Sequence, residues 1–308
     1  MHNDIAPSLI LVKTALDKLL DEATIELAVV GKATAKDEMV FTQDSATNAA
    51  VVSSVIGGGG YFSSTLDDVA PTNEANLSAA AQKTSLVLQF KKNLPISRTF
   101  MADQQLSAVS KAVRQQALTW AASQDRNAFS TYALGFTTQL TIDGVALFSN
   151  SHINQNGDTV DNLETGVLTD ANLNIVVNSL RTQLSQTGVV IGYEPKFILT
   201  PSLLHQTGMT IAKSVLRAGG ANNDLNYFSE MYPGMKVVYS PFLDATSTTA
   251  YFVGSQTHGV YRFEREAFFT DLVDWKTNIN DQYMYKMRAR EVVDSIEYSG
   301  LVGSNGTV

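Results

Sequence analysis

Residues 103–132 of the chain read DQQLSAVSKAVRQQALTWAASQDRNAFSTY and contain neither Gly nor Pro. Apolar side chains recur there at spacings of three and four, which predicts one stripe on a long helix, formed by Leu106, Val109, Val113, Ala117, Trp120 and Ala121. Asp103 is a suitable N-cap, and Gly135 is a suitable end. The predicted helix is about 43 Å long. Because the average helix has only about three turns, this length indicates an extended molecule.

A mixed α/β unit is predicted over residues 169–254. Thr169 caps a second helix whose apolar face consists of Leu173, Val176, Val177, Leu180 and Leu184. Pro201 and Ser202 begin a third helix, whose predicted inward residues are Leu203, Leu204, Thr207, Ile211 and Val215. Strands are predicted at 189–191, 197–200, 235–240 and 249–253, followed by a strand-rich tail over 259–299.

The region before the long helix is poor in charge. Residues 42–82 contain only four charged residues, namely Asp44, Asp67, Asp68 and Glu74, and Gly57–Gly60 interrupt regular structure in the middle. Two interpretations stay open, a loop without regular structure and an arm that becomes ordered on a partner. A strand is predicted at 84–90, and residues 9–20 predict a short amphipathic helix that needs a docking surface.

The composition favours a protein that hides part of its surface against other chains. The 308 residues include 22 Lys and Arg against 30 Asp and Glu, so the net charge is −8. Hydrophobic residues make up 44%, enough for a core, whereas charged residues make up only 17%, below the usual value of about 25%. The chain has no Cys, which excludes disulfides and thiolate chemistry. No apolar run predicts a membrane span, and the acidic balance argues against a surface that grips nucleic acid phosphates.

No catalytic, cofactor-binding or metal-binding residues are predicted, so an enzyme is not expected. The histidines, His2, His152, His205 and His258, lack metal-ligand spacing. Residues 29–34 resemble the end of a phosphate loop but lack its first Gly and its final Ser or Thr. The oxygen-rich segment 154–164 lacks the Gly that an EF-hand loop needs. We interpret it as a polar surface loop, and whether a cation binds it stays open.

Four passages resemble the major capsid proteins of tailed bacteriophages, which have the Hong Kong-type capsid fold, and in part the Mu-like major head subunits. The first is the strand with Asn93–Arg98 that leads into the long helix. The second is DGVALFSNSH at 143–152. The third is PKFILTPSL at 195–203, with 235–238 and 244–252 after it. The fourth runs from Tyr285–Arg288 through 301–306. Together they cover roughly 84–306, and their order and spacing carry the resemblance.

The resemblance implies an α+β fold with five regions. Residues 1–50 would be an N-terminal arm and 51–95 the extended loop. Residues 96–165 would be a peripheral domain with the spine helix at 103–132, residues 166–245 an axial domain, and 246–308 a return to the peripheral domain.

The resemblance also implies a major capsid (head) protein without catalysis or cofactors. Copies would form hexamers and pentamers of an icosahedral shell that encloses double-stranded DNA without sequence-specific binding. The resemblance further implies portal, scaffold and decoration proteins as partners. It implies no contact with a membrane. The implied location is the virion, after assembly in the host cytoplasm. The alternatives are an encapsulin-like shell of a cellular compartment and, from another class, a soluble α/β hydrolase or binding enzyme.

Overall fold

A computed structural model describes residues 13–18, 31–57, 78–102, 106–216, 225–277, 280 and 282–307. The helices are α1 (residues 13–18), α2 (Arg98–Ala102), α3 (Leu106–Ala133), α4 (Asp170–Thr182), α5 (His205–Lys213) and α6 (Tyr227–Met231). The first seven strands are β1 (Thr42–Ser45), β2 (Ala50–Gly57), β3 (Ser78–Leu86), β4 (Leu88–Ser97), β5 (His152–Ile153), β6 (Thr159–Val160) and β7 (Leu163–Glu164). The remaining strands are β8 (Phe197–Thr200), β9 (Lys236–Tyr239), β10 (Tyr251–Gly254), β11 (Val260–Val273), β12 (Gln282–Ser295) and β13 (Leu301–Ser304).

The long helix α3 packs on a four-stranded sheet in the order β1-β11-β12-β4. Strands β11 and β12, of 14 residues each, are antiparallel, and β4 runs antiparallel to β12. Val109, Val113 and Ala117 of α3 are buried against Tyr285 and Met287 of β12. The predicted helix is therefore confirmed between 106 and 132, while its predicted cap, Asp103, lies outside the described residues.

A second sheet has the order β7-β13-β10-β8-β9. Helices α4 and α5 contribute to the apolar cluster on one of its faces, where Val177 and Ile211 meet Ile198. Thr169 caps α4 as predicted, since its hydroxyl accepts a hydrogen bond from the Asn172 amide at 3.2 Å.

The opposite face of this sheet packs against the C-terminal end of α3. Tyr132 is fully buried there, its ring centroid is 5.3 Å from that of Phe252, and its hydroxyl donates to the Val40 carbonyl at 2.7 Å. Phe148 fills the remaining space so closely that a Cβ on Gly135 or Gly303 would come within 2.8 Å of its ring. One helix thus joins both sheets through two apolar clusters.

Several predicted positions are wrong. Leu203 and Val215 are 73% and 72% exposed, because residues 202–204 form a 3₁₀ turn and α5 ends at Lys213. Thr207 is also exposed, whereas Ile211 is buried as predicted. The predicted strand at 189–191 is reduced to a single bridge between Leu184 and Val190.

The described parts of the charge-poor region contain strands. Residues 42–45 form β1, while 50–57 and 78–86 form the antiparallel pair β2–β3. Gly58–Gly60 lie outside the described residues. The segment 246–308 contributes to both sheets, because β10 and β13 belong to the five-stranded sheet and β11 and β12 to the four-stranded one. None of the helices among the described residues has the length and apolar character that crossing a membrane requires.

A buried ion pair lies between α3 and the four-stranded sheet. Arg262 and Glu291 are 4% and 1% exposed, and the Arg262 Nε donates to Glu291 Oε2 at 3.0 Å. The Arg262 Nη2 also donates to Glu264 at 2.8 Å, and Gln124 of α3 donates to Glu291 at 3.2 Å. This network ties the helix to β11 and β12.

The segment that carries Phe148 is held by a second polar pair. His152 is fully buried, its Nδ1 is 2.7 Å from Asp143 Oδ2, and its Nε2 is 3.2 Å from the Leu147 carbonyl. Burial acts to raise the pKa of Asp143, but hydrogen bonds from His152 and Thr141 outweigh it and lower the pKa below 3.8. The ionised carboxylate therefore stabilises the folded segment.

Glu291→Gln is expected to lower the free energy of unfolding of the unassembled subunit by about 3 kcal/mol, because Arg262 loses its buried counter-charge. Glu264→Gln is the matched control: that side chain is 39% exposed, so we expect a loss below about 1 kcal/mol. Urea denaturation followed by tryptophan fluorescence measures both. Equal losses in the two variants would contradict a dominant role for the buried pair.

Asp143→Asn is expected to destabilise the subunit at pH 7 by about 1–3 kcal/mol. The contribution of Asp143 is complete above the ordinary carboxyl pKa of 3.8 and is lost as the pH falls through the lower folded value. The difference between variant and wild type should therefore shrink at strongly acid pH. Asp271→Asn, at an exposed carboxylate, is the control. Urea titrations at both pH values test this, and a pH-independent difference would refute it.

Candidate assembly surface

The β2–β3 hairpin belongs to neither of the two larger sheets. Its register runs from Ala50 opposite Leu86 to Gly57 opposite Ser78, with an irregularity between Val55 and Ile56. Its two strands form a sheet of their own. Because two strands alone bury little apolar surface, such a ribbon is marginally stable in water. The described part of the hairpin therefore needs further contacts, which agrees with the interpretation as an arm that is ordered on a partner.

The hairpin points away from the four-stranded sheet along the line of β4. Leu88 of β4 pairs with Glu291 of β12, and Ser85 of β3 donates its hydroxyl hydrogen bond to Asp294, three residues further along β12. Only Val87 separates β3 from β4. The base of β3 thus leaves the four-stranded sheet near Asp294, at the C-terminal end of β12.

A cluster around Asp294 holds the base of the hairpin. The Lys83 Nζ lies 2.5 Å from Asp294 Oδ1 and 2.7 Å from each of the Leu140 and Ser295 carbonyls. Gln139 donates to the same carboxylate at 2.6 Å. The side chains of Lys83 and Asp294 are only 19% and 13% exposed, so water screens the pair little. This polar cluster fixes the direction in which the hairpin leaves the subunit.

The helical side of the five-stranded sheet exposes a second set of apolar residues. Ile175 of α4 is 52% exposed, Leu225 is 64% exposed and Met231 of α6 is 54% exposed. A groove of about 890 Å³ lies between α4 and α6 and is lined by Ile175, Leu225 and Tyr227, among others. Clustered exposed apolar side chains of this kind mark protein–protein contact surfaces.

The described histidines are structural. Burial lowers the pKa of His258 to about 4, against the opposing hydrogen bond to the Met39 carbonyl. The ring is therefore neutral at pH 7, and its Nδ1 accepts from the Val260 amide at 3.2 Å. His205 packs beside Tyr239 with ring centroids 4.8 Å apart, and burial lowers its pKa. His2 lies outside the described residues.

No group of three or more His, Cys, Asp or Glu side chains that could hold a metal ion occurs in the described part of the chain. In the polar segment 154–164, Asn154 is buried, and its Oδ1 accepts from the amides of Asn156 and Asp158 at 2.9 and 2.8 Å. The Asn154 Oδ1 therefore already accepts two hydrogen bonds from its own turn.

Comparisons with known proteins agree with this arrangement. Residues 80–303 match the sequence profile of the family described as phage capsid protein. No curated protein is significantly similar in sequence.

Solved structures share the fold at low sequence identity. A structure from Microbacterium phage Oxtober96 is 11% identical with a TM-score of 0.55, covering 91% of this chain and 93% of that one. The capsid of Myoviridae phage XM1 is 14% identical with a TM-score of 0.51, covering 89% and 92%. A virus-like particle from Pyrococcus furiosus is 9% identical with a TM-score of 0.54, covering 94% and 97%.

The phage capsid profile covers α3, the strands of the five-stranded sheet and the long strands β11 and β12. The particle from Pyrococcus furiosus is similar in fold alone, whereas the profile that matches the sequence is that of the phage capsid protein family. The chain therefore belongs to the phage capsid protein family and is a tailed-phage major capsid protein of the Hong Kong-type fold.

Proposed function

We propose that copies of this chain assemble into hexamers and pentamers of an icosahedral shell that encloses double-stranded phage DNA. The observation that carries the proposal is the match to the capsid family over 80–303 in a subunit whose hairpin strands pair only with each other among the described strands. A subunit that leaves apolar side chains and a strand pair uncovered gains stability when copies bury them.

The proposed roles of the regions follow from their positions. The β2–β3 hairpin, apart from Ala50, falls in the proposed extended loop, 51–95, which follows the proposed N-terminal arm, 1–50. Helix α3 falls in the proposed peripheral domain, 96–165, whereas β1 falls in the arm and most of β4 in the extended loop. Helices α4 to α6 fall in the proposed axial domain, 166–245. Within 246–308, β10 and β13 add to the axial sheet, whereas β11 and β12 return to the peripheral one.

The shell we propose is non-enzymatic and is part of the virion, assembled in the host cytoplasm. Portal and scaffold proteins, with decoration proteins where present, are its proposed partners. DNA would be enclosed without sequence-specific contacts, in keeping with the net charge of −8. The encapsulin-like alternative predicts an empty or cargo-loaded shell in place of one filled with DNA.

Purified full-length chain is expected to sediment as large particles, with five- and six-membered rings visible by electron microscopy. Particles from phage-producing cells should contain nuclease-protected DNA. Protein cargo in place of DNA would favour the encapsulin-like alternative. A stable 33.4 kDa monomer at every concentration, with no particles from either source, would overturn the proposal.

Asp294→Asn is expected to loosen the hairpin and reduce particle yield while the subunit stays folded, because Lys83 loses its counter-charge. Amides of β2 and β3 should exchange hydrogen about tenfold faster in the unassembled variant, the factor that corresponds to about 1.4 kcal/mol. Glu194→Gln is the matched control, since it removes an ion pair with Lys196 whose side chains are 39% and 71% exposed. Unchanged exchange and unchanged yield would show that the cluster does not set the hairpin.

A further inference from the structure

Strand β12 places its positive charges on one face of the four-stranded sheet. Buried and exposed residues alternate along this strand: Tyr285 and Met287 are buried in the cluster with α3, whereas Lys286 and Arg288 are exposed. Because successive side chains of a strand point to opposite faces, Lys286 and Arg288 lie on the face opposite α3. Arg290 follows at the same spacing and is partly exposed on that face.

Strands β11 and β4 continue this face on either side of β12. In the pairing register, Arg288 lies between Phe269 of β11 and Lys91 of β4, and Lys286 lies opposite Asp271 of β11. Directly opposed residues of an antiparallel pair share a face of the sheet. Lys91, Phe269 and Asp271 are all exposed. This part of the sheet is therefore open to solvent in the described subunit.

Arg290 of β12 and Glu266 of β11 form a third row of the same surface, and we call the three rows together the basic face. Its four cations outnumber its two carboxylates, although the whole chain has a net charge of −8. Arg288 is paired, since its Nε donates to Glu266 at 3.0 Å. The other three cations form no ion pair with a residue of the described segments.

The cations of the basic face repel one another. Lys91 and Arg288 are directly opposed, and like charges in this position destabilise a sheet. A carboxylate between them would offset the repulsion, and a guanidinium group can bind it with two parallel hydrogen bonds. The basic face therefore favours an anionic occupant.

Phe269 decides which kind of anion fits. Its ring is 57% exposed in the middle row, opposite Arg288. Aromatic residues and Arg are enriched in protein–protein interfaces, and the ring leaves water only when apolar groups cover it. A phosphate backbone offers no apolar cover, and Glu266 and Asp271 would repel its closely spaced charges. The surface suits a protein segment that combines carboxylates with an apolar side chain.

A second copy in a two-fold contact does not meet this requirement. In such a contact each patch meets the same patch of the partner. The cations of one basic face would then approach the cations of the other, and like charges brought together weaken association.

We propose that the basic face binds an acidic segment of a protein other than this chain, with an apolar side chain on Phe269 and carboxylates beside Lys91 and Lys286. The inference rests on the proposed shell function, for which portal, scaffold and decoration proteins are the proposed partners. It names the surface of the subunit that one such partner recognises and the chemistry that the partner needs.

A photo-reactive side chain in the middle row identifies the occupant. The full-length chain with Phe269→p-benzoylphenylalanine is expressed in phage-producing cells, and the purified particles are irradiated. We expect a cross-link to a second protein, through a peptide rich in Asp and Glu. Tyr227→p-benzoylphenylalanine, at a 44% exposed ring on α6, is the matched control and should not give this product. Mass spectrometry of the cross-linked peptides measures both.

Charge reversal tests the chemistry of the contact. Lys91→Glu with Lys286→Glu, added to the photo-reactive chain, should lower the yield of the cross-link about tenfold or more at low ionic strength. Lys36→Glu with Lys236→Glu, at exposed positions elsewhere, should leave the yield unchanged. In photo-reactive particles without charge changes, about 1 M salt should also lower the yield, because it screens charges beyond about 3 Å. Circular dichroism verifies that the variant chains fold.

A cross-link from position 269 to another copy of this chain, or to DNA, would overturn the proposal in favour of that occupant. Intact particles without any cross-link at this position would overturn the docking site and leave the shell function standing. A yield that resists both charge reversal and salt would overturn the acidic chemistry of the partner. Failure of the wild-type chain to form particles, by contrast, would count against the shell function itself.

Discussion

One helix sets the distance between the two sheets of the subunit. The middle of α3 packs Val113 and Ala117 against the four-stranded sheet, and its end packs Phe129 and Tyr132 against the five-stranded one. A helix is a stiff rod, and close-packed interiors transmit displacement rather than absorb it. Each sheet is therefore placed relative to the other by the same 28 residues. The network around Arg262 and the ring of Phe148 reinforce the two ends of this arrangement.

Because the core of the subunit is built around α3, apolar side chains stay exposed at its periphery. The hairpin, strand β4 and the α4–α6 side each expose apolar side chains, such as Val52, Leu88 and Leu225. The chain has too few charges, 17% of residues, to solvate this periphery as a monomer of its size normally does. Burial by other copies would remove that surface from water, so composition and fold both favour the proposed assembly.

Local sequence patterns were sufficient to predict those helices in which buried residues recur at spacings of three and four. Val109, Val113 and Ala117 of the α3 stripe and the Thr169 cap of α4 are confirmed, because both patterns depend on neighbours within one or two turns. Asp125 does not belong to the apolar stripe but is only 5% exposed, because Lys32 and the Ala35 amide bind it from 93 and 90 residues away. Pairing over that distance has no periodic signature.

The candidate assembly surface was less accessible to sequence reasoning. The hairpin strands contain small residues with weak alternation, AVVSSVIG and SAAAQKTSL, and pair only with each other among the described strands. Trp120, on the predicted apolar stripe, is half-buried because its ring lines an open groove between α3 and β4 rather than a closed core. An apolar residue on a helical stripe has the same pattern in both settings. Whether such a residue lies in a closed core or in an open groove depends on the strand that packs opposite it.

The hairpin is oriented by polar contacts, and this choice has a physical consequence. Apolar packing is non-directional and permits a range of angles, whereas a carboxylate that accepts from Lys83, Ser85 and Gln139 fixes one. Partly buried charge clusters contribute little net stability but distinguish one geometry from its neighbours. In the shell we propose, the hairpin would reach another copy, and a small change of angle at its base would become a large displacement at its far end. The cluster at Asp294 would then specify direction, and apolar surface buried between copies would supply the free energy of association.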